Sequence, residues 1–187
     1  MKATVGIALT GSFCTFHRVL EVLKELKDYR LIPILSQSTA LLDTRFGKAE
    51  EFRKDLEAIC GSPVLCSLPQ VEPLGPKKLL DALVIMPCTG NTIGKLANGI
   101  ADSPVTLACK AHLRNGRPVI LAISTNDGLG ANGENIGKLL VRKHFYFVPF
   151  SQDDPVEKPY SLVAHMEELP QTLALALEGR QLQPLLR

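Results

Sequence analysis

Residues 82–116 decide the fold, and they read ALVIMPCTGNTIGKLANGIADSPVTLACKAHLRNG. Their first five residues are apolar throughout, which predicts a buried strand. The next six, Pro87-Cys88-Thr89-Gly90-Asn91-Thr92, place hydroxyl and amide side chains where a helix begins. Unpaired N–H groups and the positive end of the helix dipole favour an anion at such a point. An ordinary helix start with Thr89 or Asn91 as N-cap explains the same residues, so this stretch alone leaves both interpretations open.

Two helices are predicted after this turn. The first carries its apolar residues on one face, and these are Ile93, Leu96, Ala97, Ile100 and Ala101. The second begins at Ser103-Pro104, a capping serine followed by a first-turn proline, and ends at Asn115-Gly116. Its apolar residues surround most of its circumference, which predicts a buried helix.

Short apolar segments alternate with helical patterns along the rest of the chain. Strands are predicted at residues 4–9, 31–35, 64–66, 118–123 and 145–148. Helices are predicted at residues 16–26, 46–59 and 132–143, and from Ser161 onward, where Pro170 is expected to kink or split the last helix. Residues 67–78 and 149–155 are predicted to be loops, and Pro33 favours an edge strand or a bulge.

Strands that are apolar throughout and separated by helices are typical of a parallel sheet covered on both faces. The predicted fold class is therefore α/β, with a doubly wound, mostly parallel Rossmann-like (flavodoxin-like) sheet and helices on both faces. A chain of 187 residues suits one domain, residues 1–187, and is too short for two domains of ordinary size.

Composition narrows the partners and the compartment. A net charge of +2 gives no electrostatic reason to expect nucleic acid or an acidic membrane surface. The five cysteines form no C-x-x-C pair and no zinc spacing with the four histidines, so no metal site is predicted and a reducing compartment fits best. The N-terminus lacks the apolar region of a signal peptide and no segment is long enough to span a bilayer. We expect a soluble, unprocessed, cytoplasmic protein.

Polar residues follow four of the predicted strands. They are Thr10-Gly11-Ser12, Ser36-Gln37-Ser38-Thr39, the 88–92 turn, and Ser124-Thr125-Asn126-Asp127. In open α/β sheets, ligands bind outside the carboxyl ends of the strands, near the point where the strand order reverses. Four such loops at one edge therefore favour a cofactor site over a set of ordinary turns.

The residues also indicate which cofactor this is. The dinucleotide fingerprint G-x-G-x-x-G and the phosphate loop G-x-x-x-x-G-K-[ST] are both missing, which disfavours NAD and ATP in their usual sites. Neutral hydroxyls and backbone N–H groups, without a lysine or a metal-binding carboxylate, suit a single phosphate bound without magnesium. FMN is the natural candidate.

The same residues resemble a known family. The segment from Gly6 to Ser12, the Pro87-x-x-x-Asn91-Thr92 turn and the strand ending at Asn126 resemble the flavoprotein family that includes flavin prenyltransferase and the cysteine-type decarboxylases. The resemblance covers nearly the whole chain. It implies FMN contacts at eight positions, of which the first four lie near the phosphate, the next three near the ribityl chain or ring, and the last closes the site: Thr10, Gly11, Ser12, Ser36, Thr89, Asn91, Thr92 and Asn126.

Two departures from the family disfavour decarboxylation. The decarboxylases use a Pro-Ala-Met-Asn stretch where this chain has Ile123-Ser124-Thr125-Asn126, so only the asparagine is shared. They also rely on a histidine after the second strand, and this chain has none between His17 and His112. A flavin prenyltransferase or decarboxylase is therefore the third-ranked hypothesis.

Within the family, residues 87–106, 124–130 and 148–155 resemble one subunit of a two-subunit oxidoreductase of sporulating bacteria. This resemblance implies oxidation of a small cyclic dicarboxylate in the mother-cell cytoplasm. It also implies a partner subunit that carries the NAD or NADP, and a homo-oligomer based on trimers. The sequence shows no acid–base pair of its own, so no catalytic residue is assigned. A scaffold that keeps the FMN pocket without redox activity stays open as the alternative.

Several conspicuous residues have ordinary explanations. His112 lies among apolar residues and is expected to be a core or surface histidine. Cys88 has no histidine or lysine nearby in sequence, which favours a buried thiol over a nucleophile. Lys110, Arg114 and Arg117 would suit a dicarboxylate, although a solvated helix end is the commoner explanation. The acids Asp127, Asp153 and Asp154 are interpreted as turn residues and helix-entry acids.

Overall fold

A seven-stranded sheet forms the centre of the fold in a computed structural model that describes residues 2–187. Its strands are β1 Thr4–Leu9, β2 Arg30–Leu35, β3 Ala82–Cys88, β4 Val119–Thr125, β5 Phe145–Phe147, β6 Phe150–Asp154 and β7 Lys158–Ala164. The order is β2-β1-β3-β4-β7-β6, and β5 pairs with β4. Strands β1 to β5 are parallel, whereas β7 is antiparallel to both β4 and β6. This arrangement confirms the predicted α/β, mostly parallel fold.

Eight helices connect and cover the described strands. They are α1 Phe16–Leu23, α2 Gln37–Leu41, α3 Ala49–Cys60, α4 Leu68–Val71, α5 Gly90–Ala97, α6 Pro104–Leu113, α7 Ala131–Leu140 and α8 Leu169–Leu177. Every residue of β3 is buried, as expected for a central strand with both faces covered. No helix within residues 2–187 combines the length and apolar character that crossing a membrane requires.

Local signals explain several helix boundaries. The hydroxyl of Ser103 accepts a hydrogen bond from the Thr106 N–H at 3.2 Å and caps α6. Gly61 ends α3 with a φ of 64°, a left-handed conformation that glycine adopts without strain. Two predicted helix faces extend too far, because Ile100 lies beyond the end of α5 and Phe46 lies before the start of α3.

Proline 33 lies on the edge strand β2, as predicted. The expected strand at residues 64–66 is reduced to a single bridge between Leu65 and Ile34. The Leu65 N–H donates to the Pro33 carbonyl, and the Leu35 N–H donates to the Leu65 carbonyl, both at 2.9 Å. This short contact covers the part of the edge nearest the end of β2.

The prediction of a loop at residues 67–78 is wrong. This segment contains α4 and a 3-10 turn at Glu72–Leu74. Ser67 caps α4, and its N–H and hydroxyl both donate to the Gln70 side-chain oxygen, at 3.1 and 3.0 Å. Pro69 and Pro73 lie in the first turns of these two elements, where a missing N–H removes no helical hydrogen bond, so they are compatible with helix.

The predictions for residues 149–155 and for a helix starting at Ser161 are also wrong. Strands β6 and β7 form an antiparallel hairpin, in which the Asp154 carboxylate accepts the Val156 and Glu157 N–H groups at 3.1 and 3.0 Å. The apolar residues of this region fit the helical period as well as the strand period, which explains the error. Helix α8 begins at Leu169, and Pro170 lies in its first turn instead of kinking it.

Candidate functional site

The strand order reverses between β1 and β3, and a hydrogen-bonded pair of loops marks this point. Strand β1 pairs with β2 on one side and with β3 on the other. The Thr10 hydroxyl, at the end of β1, donates to the carbonyl oxygen of Pro87 at 2.7 Å. It also accepts the N–H of Thr89 at 3.1 Å. The two loops where a doubly wound sheet binds its ligand are therefore joined directly.

A cavity of about 940 Å³ opens at this edge of the sheet. Three of the four predicted loops line it, and they contribute Gly11, Ser12, Thr89, Gly90, Asn91, Ser124, Thr125, Asn126 and Asp127. Five of the eight predicted contact residues, Gly11, Ser12, Thr89, Asn91 and Asn126, are among these. The structure thus brings most of the candidate residues together around one space.

The other three predicted residues lie behind the cavity wall. Thr10 is 2% exposed and Thr92 is 6% exposed, and the hydroxyl of each lies within 3.2 Å of the Thr89 hydroxyl. Ser36 caps α2, where its hydroxyl accepts the Thr39 N–H at 3.3 Å. None of these three residues is among those that line the cavity.

The second loop approaches the cavity through Ser38. A Cβ atom on Gly11 would lie 3.4 Å from the Ser38 hydroxyl oxygen. The loop after β2 therefore packs directly behind the loop after β1. Prediction from the sequence favoured Ser36 in this loop, but Ser36 is engaged in capping the short helix.

Two serines link the loops after β1 and β4. The hydroxyl oxygens of Ser12 and Ser124 lie 2.8 Å apart. Ser12 is held further by its N–H, which donates to the Thr10 carbonyl at 2.7 Å, and by its carbonyl, which accepts the Thr15 hydroxyl at 2.8 Å. A hydroxyl pair on a fixed backbone can reorient its hydrogens toward an anionic ligand.

Gly90, the first residue of α5, is enclosed by polar side chains. A Cβ atom here would lie 2.5 Å from Asn132 Nδ2 and from Thr125 Oγ1, and 2.7 Å from Asp127 Oδ1. The Asp127 carboxylate accepts hydrogen bonds from the Thr125 hydroxyl and, at 2.8 Å, from the Asn132 amide. Close packing thus requires glycine at the start of the helix that faces the cavity.

The wall opposite these loops comes from α1 and the β6–β7 hairpin. Arg18 and Lys158 line it, and each forms an exposed ion pair, with Glu167 at 2.5 Å and with Asp153 at 2.7 Å. The hydrogen bond from Lys158 to Asp153 raises the pKa of Lys158. Sequence reasoning missed this wall because it assigned the hairpin to a loop and a helix. Arg18 carried no signal beyond its place on an exposed helix face.

The conspicuous histidine and cysteine have structural roles. His112 is 1% exposed, its Nε2 lies 3.0 Å from the Pro118 carbonyl, and burial lowers its pKa to about 4. Burial raises the pKa of the Cys88 thiol, which is fully enclosed beneath the 88–92 turn. His112 is therefore a neutral core residue, and Cys88 is a protonated thiol without access to the cavity.

The basic cluster does not face the cavity. Arg117 donates to the carbonyl oxygens of Lys78 and Leu80 and lies 3.4 Å from the Asp81 carboxylate. Lys110 and Arg114 line a separate groove. The cations available to a ligand in the cavity are Arg18 and Lys158. In residues 2–187, no three His, Cys, Asp or Glu side chains are grouped closely enough to hold a metal ion.

Comparison with known proteins gives consistent matches. The Flavoprotein family model matches residues 1–132. The chain is 47% identical over 184 residues to the B component of dipicolinate synthase from Bacillus subtilis, covering 97% of this chain and 92% of that protein. The crystal structure of the same component from Bacillus halodurans superposes with a TM-score of 0.91 at 46% identity, covering 99% and 96% of the two chains.

A more distant structure shares the fold. An FMN-dependent cysteine decarboxylase of thioviridamide biosynthesis gives a TM-score of 0.63 at 24% identity, covering 96% of this chain and 98% of that one.

Proposed function

This chain belongs to the Flavoprotein family, and from that premise we propose that its cavity binds FMN. We propose further that, as the B component of a dipicolinate synthase, it contributes to oxidising a dihydro- or tetrahydrodipicolinate precursor to dipicolinate during sporulation. The observation that carries the proposal is the cavity at the ends of β1, β3 and β4, with its neutral polar lining of Ser12, Thr89, Asn91, Ser124 and Asn126. The 47% identity to a dipicolinate synthase component supports the choice of reaction.

The lining residues fit a flavin mononucleotide. A cavity of about 940 Å³ lies within the range of about 300–1,000 Å³ that cofactor sites occupy. The 10–12 and 88–92 loops supply hydroxyl, amide and backbone donors without a metal-binding cluster, which suits one phosphate group. We assign the phosphate to Gly11 and Ser12, and the ribityl chain or ring to Thr89, Asn91 and Asn126.

The residues behind the wall are proposed to position these contacts. Thr10 holds the β1 and β3 loops together, and Thr92 steadies the Thr89 hydroxyl at 3.1 Å. Ser36 orders the loop that packs behind Gly11. All eight predicted residues therefore take part in the proposed site, five by contact and three by support.

The chemistry at the site divides between the cofactor and the chain. When bound, a flavin supplies the two-electron redox chemistry that amino-acid side chains cannot perform. The chain's own residues bind it, orient it and select the substrate. Arg18 and Lys158 on the other wall are proposed to attract the two carboxylates of a small dicarboxylate, since each cation has N–H donors beyond the one used in its ion pair with Glu167 or Asp153.

Proton transfer is proposed to need the companion protein. Asp127 and Asp153 line the cavity, but the first is bound by Thr125 and Asn132 and the second by Lys158. We therefore expect activity only with the companion A component of dipicolinate synthase, which would carry the NAD or NADP. The chain itself is expected to form a homo-oligomer based on trimers and to act in the cytoplasm of the mother cell.

The hydrogen bonds that engage Asp127 and Asp153 also favour a second candidate function. With both cavity carboxylates engaged, the protein could act as a scaffold that keeps an FMN pocket and stabilises the A component without redox work of its own. A flavin prenyltransferase or an FMN-dependent decarboxylase ranks lower, because the family's Pro-Ala-Met-Asn stretch and histidine are missing.

Reconstitution with the A component tests these alternatives. Dipicolinate formation should fall strongly in Ser12→Ala and Asn91→Ala, provided that both variants are folded. The matched control is Asn98→Ala, since Asn98 lies at the far end of the same helix and its amide donates to the Gly94 carbonyl. Dipicolinate formation that survives both cavity variants would support the scaffold and reject the redox role.

A further inference from the structure

A second groove, of about 390 Å³, lies at the opposite edge of the sheet from the cavity. Ile100, Leu113 and Phe145 give it an apolar lining, and Phe145 begins β5 beside the amino end of β4. Ligands of this fold bind at the carboxyl edge, so the groove is separate from the proposed FMN site. The proposed FMN and substrate contacts involve none of the residues that line this groove.

Three cations surround this groove, and no acidic side chain within residues 2–187 lines it. Arg142 donates to the carbonyls of Leu96 and Ala97 at 3.0 and 2.6 Å, which neutralises the end of α5. Lys110 and Arg114 are exposed, and neither forms an ion pair with another described residue. The groove therefore has a positive rim without internal counter-ions.

The spacing of Lys110 and Arg114 makes the positive rim of the groove electrostatically unfavourable when nothing is bound there. Residues four apart on a helix are neighbours, and like charges at that spacing repel. The helix dipole favours cations at the end of α6, but it does not explain an apolar groove between them. Carboxylates from an occupant would relieve the repulsion, and apolar side chains would fill the groove.

Two exposed apolar side chains belong to this part of the chain, since Ile100 lines the groove and Val141 directly precedes Arg142, which also lines it. Ile100 is 48% exposed and Val141 is 84% exposed. They follow the ends of α5 and α7, which Arg142 joins through its hydrogen bonds to Leu96 and Ala97. Clustered apolar residues beside a charged rim mark protein-binding surfaces more often than isolated ones do.

We propose that this surface, defined by Ile100, Lys110, Leu113, Arg114, Val141 and Phe145, docks an acidic amphipathic segment of the companion protein. The inference rests on the proposed function in taking the A component of dipicolinate synthase as that companion. Carboxylates of the segment pair with Lys110 and Arg114, and its apolar side chains enter the groove. Docking at this edge leaves the cavity at the carboxyl edge open to flavin and substrate.

Binding of the purified A component to the full chain, measured by calorimetry, tests this proposal. The double variant Lys110→Glu/Arg114→Glu should weaken binding at least tenfold, and Ile100→Asp should also weaken it. The control Lys27→Glu/Lys77→Glu makes the same charge change at exposed positions outside the groove and should bind as the wild type does. Raising the salt concentration should weaken binding of the wild type and the control, whereas it should not weaken binding of the charge-reversed variant, in which salt screens a repulsion.

Each other outcome overturns the proposal. Unchanged affinity in the charge-reversed variant and in Ile100→Asp would place the companion elsewhere. If the wild type does not bind the A component, but these substitutions change the self-association of the chain, the groove would be assigned to a second copy of the chain. FMN titration of the wild type and the same variants tests the cavity separately. If the wild type does not bind FMN, the proposed cofactor is rejected, but the affinities for the A component still test the docking surface.

Discussion

The Thr10 hydroxyl donates a hydrogen bond to the Pro87 carbonyl oxygen at 2.7 Å, joining the ends of β1 and β3 where the strand order reverses. The same hydroxyl accepts the Thr89 N–H. One buried side chain therefore sets the spacing between the two loops that form the floor of the cavity. We propose that Thr10 supports the site through these hydrogen bonds.

Replacing Thr10 by valine should lower both stability and flavin affinity. The change keeps the side-chain shape but removes both hydrogen bonds, and leaving buried polar groups unpaired costs about 1–3 kcal/mol. Urea unfolding measures the first effect and FMN titration the second. Thr172→Val is the matched control, because its buried hydroxyl bonds only the Glu168 carbonyl within helix α8. Equal FMN affinity in Thr10→Val and the wild type would contradict the positioning role.

Gly90→Ala should destabilise the protein and distort the cavity. The new Cβ would meet Asn132 and Thr125 at 2.5 Å, and such overpacking costs about 1–3 kcal/mol. Gly137→Ala on α7 provides the control, since nothing lies within 4 Å of its Cβ position and alanine favours a helix by about 0.5–1 kcal/mol. Thermal unfolding should show a lower Tm for the first variant and an equal or higher Tm for the second. A rise in Tm for Gly90→Ala would show that the pocket around Gly90 is looser than its contacts indicate.

Stability should fall as the pH is lowered from 7 to 5 because of His112. Burial lowers its pKa from 6.5 to about 4, so between these values the unfolded chain binds more protons than the folded one. The contribution of neutral His112 to the free energy of unfolding is therefore present above pH 6.5 and is lost toward pH 4, with about 2 kcal/mol lost by pH 5. Urea unfolding at both pH values measures the loss. The loss of stability between pH 7 and pH 5 should be smaller in His112→Gln, whereas His17→Gln, which changes an exposed histidine, should show the same loss as the wild type. An unchanged loss in His112→Gln would assign the pH dependence to other groups.

Arg18 and Lys158 should determine the affinity for a dicarboxylate. Substituting both by alanine removes the two cations on the wall opposite the loops, so calorimetry should show weaker dipicolinate binding while FMN binding is retained. Lys24→Ala serves as a control, since Lys24 is an exposed cation paired with Glu21 on the protein surface. If the double variant binds dipicolinate as the wild type does, the substrate carboxylates lie elsewhere.

Sequence reasoning succeeded where local signals and the fold agree. Strands β1 to β5, the Ser103 cap and the polar loops after β1, β3 and β4 were predicted. Parallel sheets bring strand ends to one edge whatever the details of the loops. Ser36 was assigned from the family resemblance, and the sequence does not show that this residue caps the short helix α2 while Ser38 lies beside Gly11. That residues 1–187 form a single domain stays a prediction.

The opposite wall of the cavity could not be predicted. Residues 150–164 carry apolar positions that fit a helix or a strand, and only pairing of β7 with Ser124 and Thr125 of β4 decides between them. That pairing brings Asp153 and Lys158 to the cavity from far along the chain. Long-range contacts of this kind leave no periodic signal in the segment itself.

The central claim is that the cavity binds FMN, and titration of the purified protein with FMN tests it most directly. The account predicts saturable quenching of flavin fluorescence, weakened in Ser12→Ala and Asn91→Ala but not in Asn98→Ala. It also predicts a rise in Tm, because a ligand at 100 times its Kd stabilises by about 2.7 kcal/mol, which is about 5–10 °C for a chain of this size. A folded protein that is isolated without flavin, quenches no FMN fluorescence and shows no change in Tm would contradict the account.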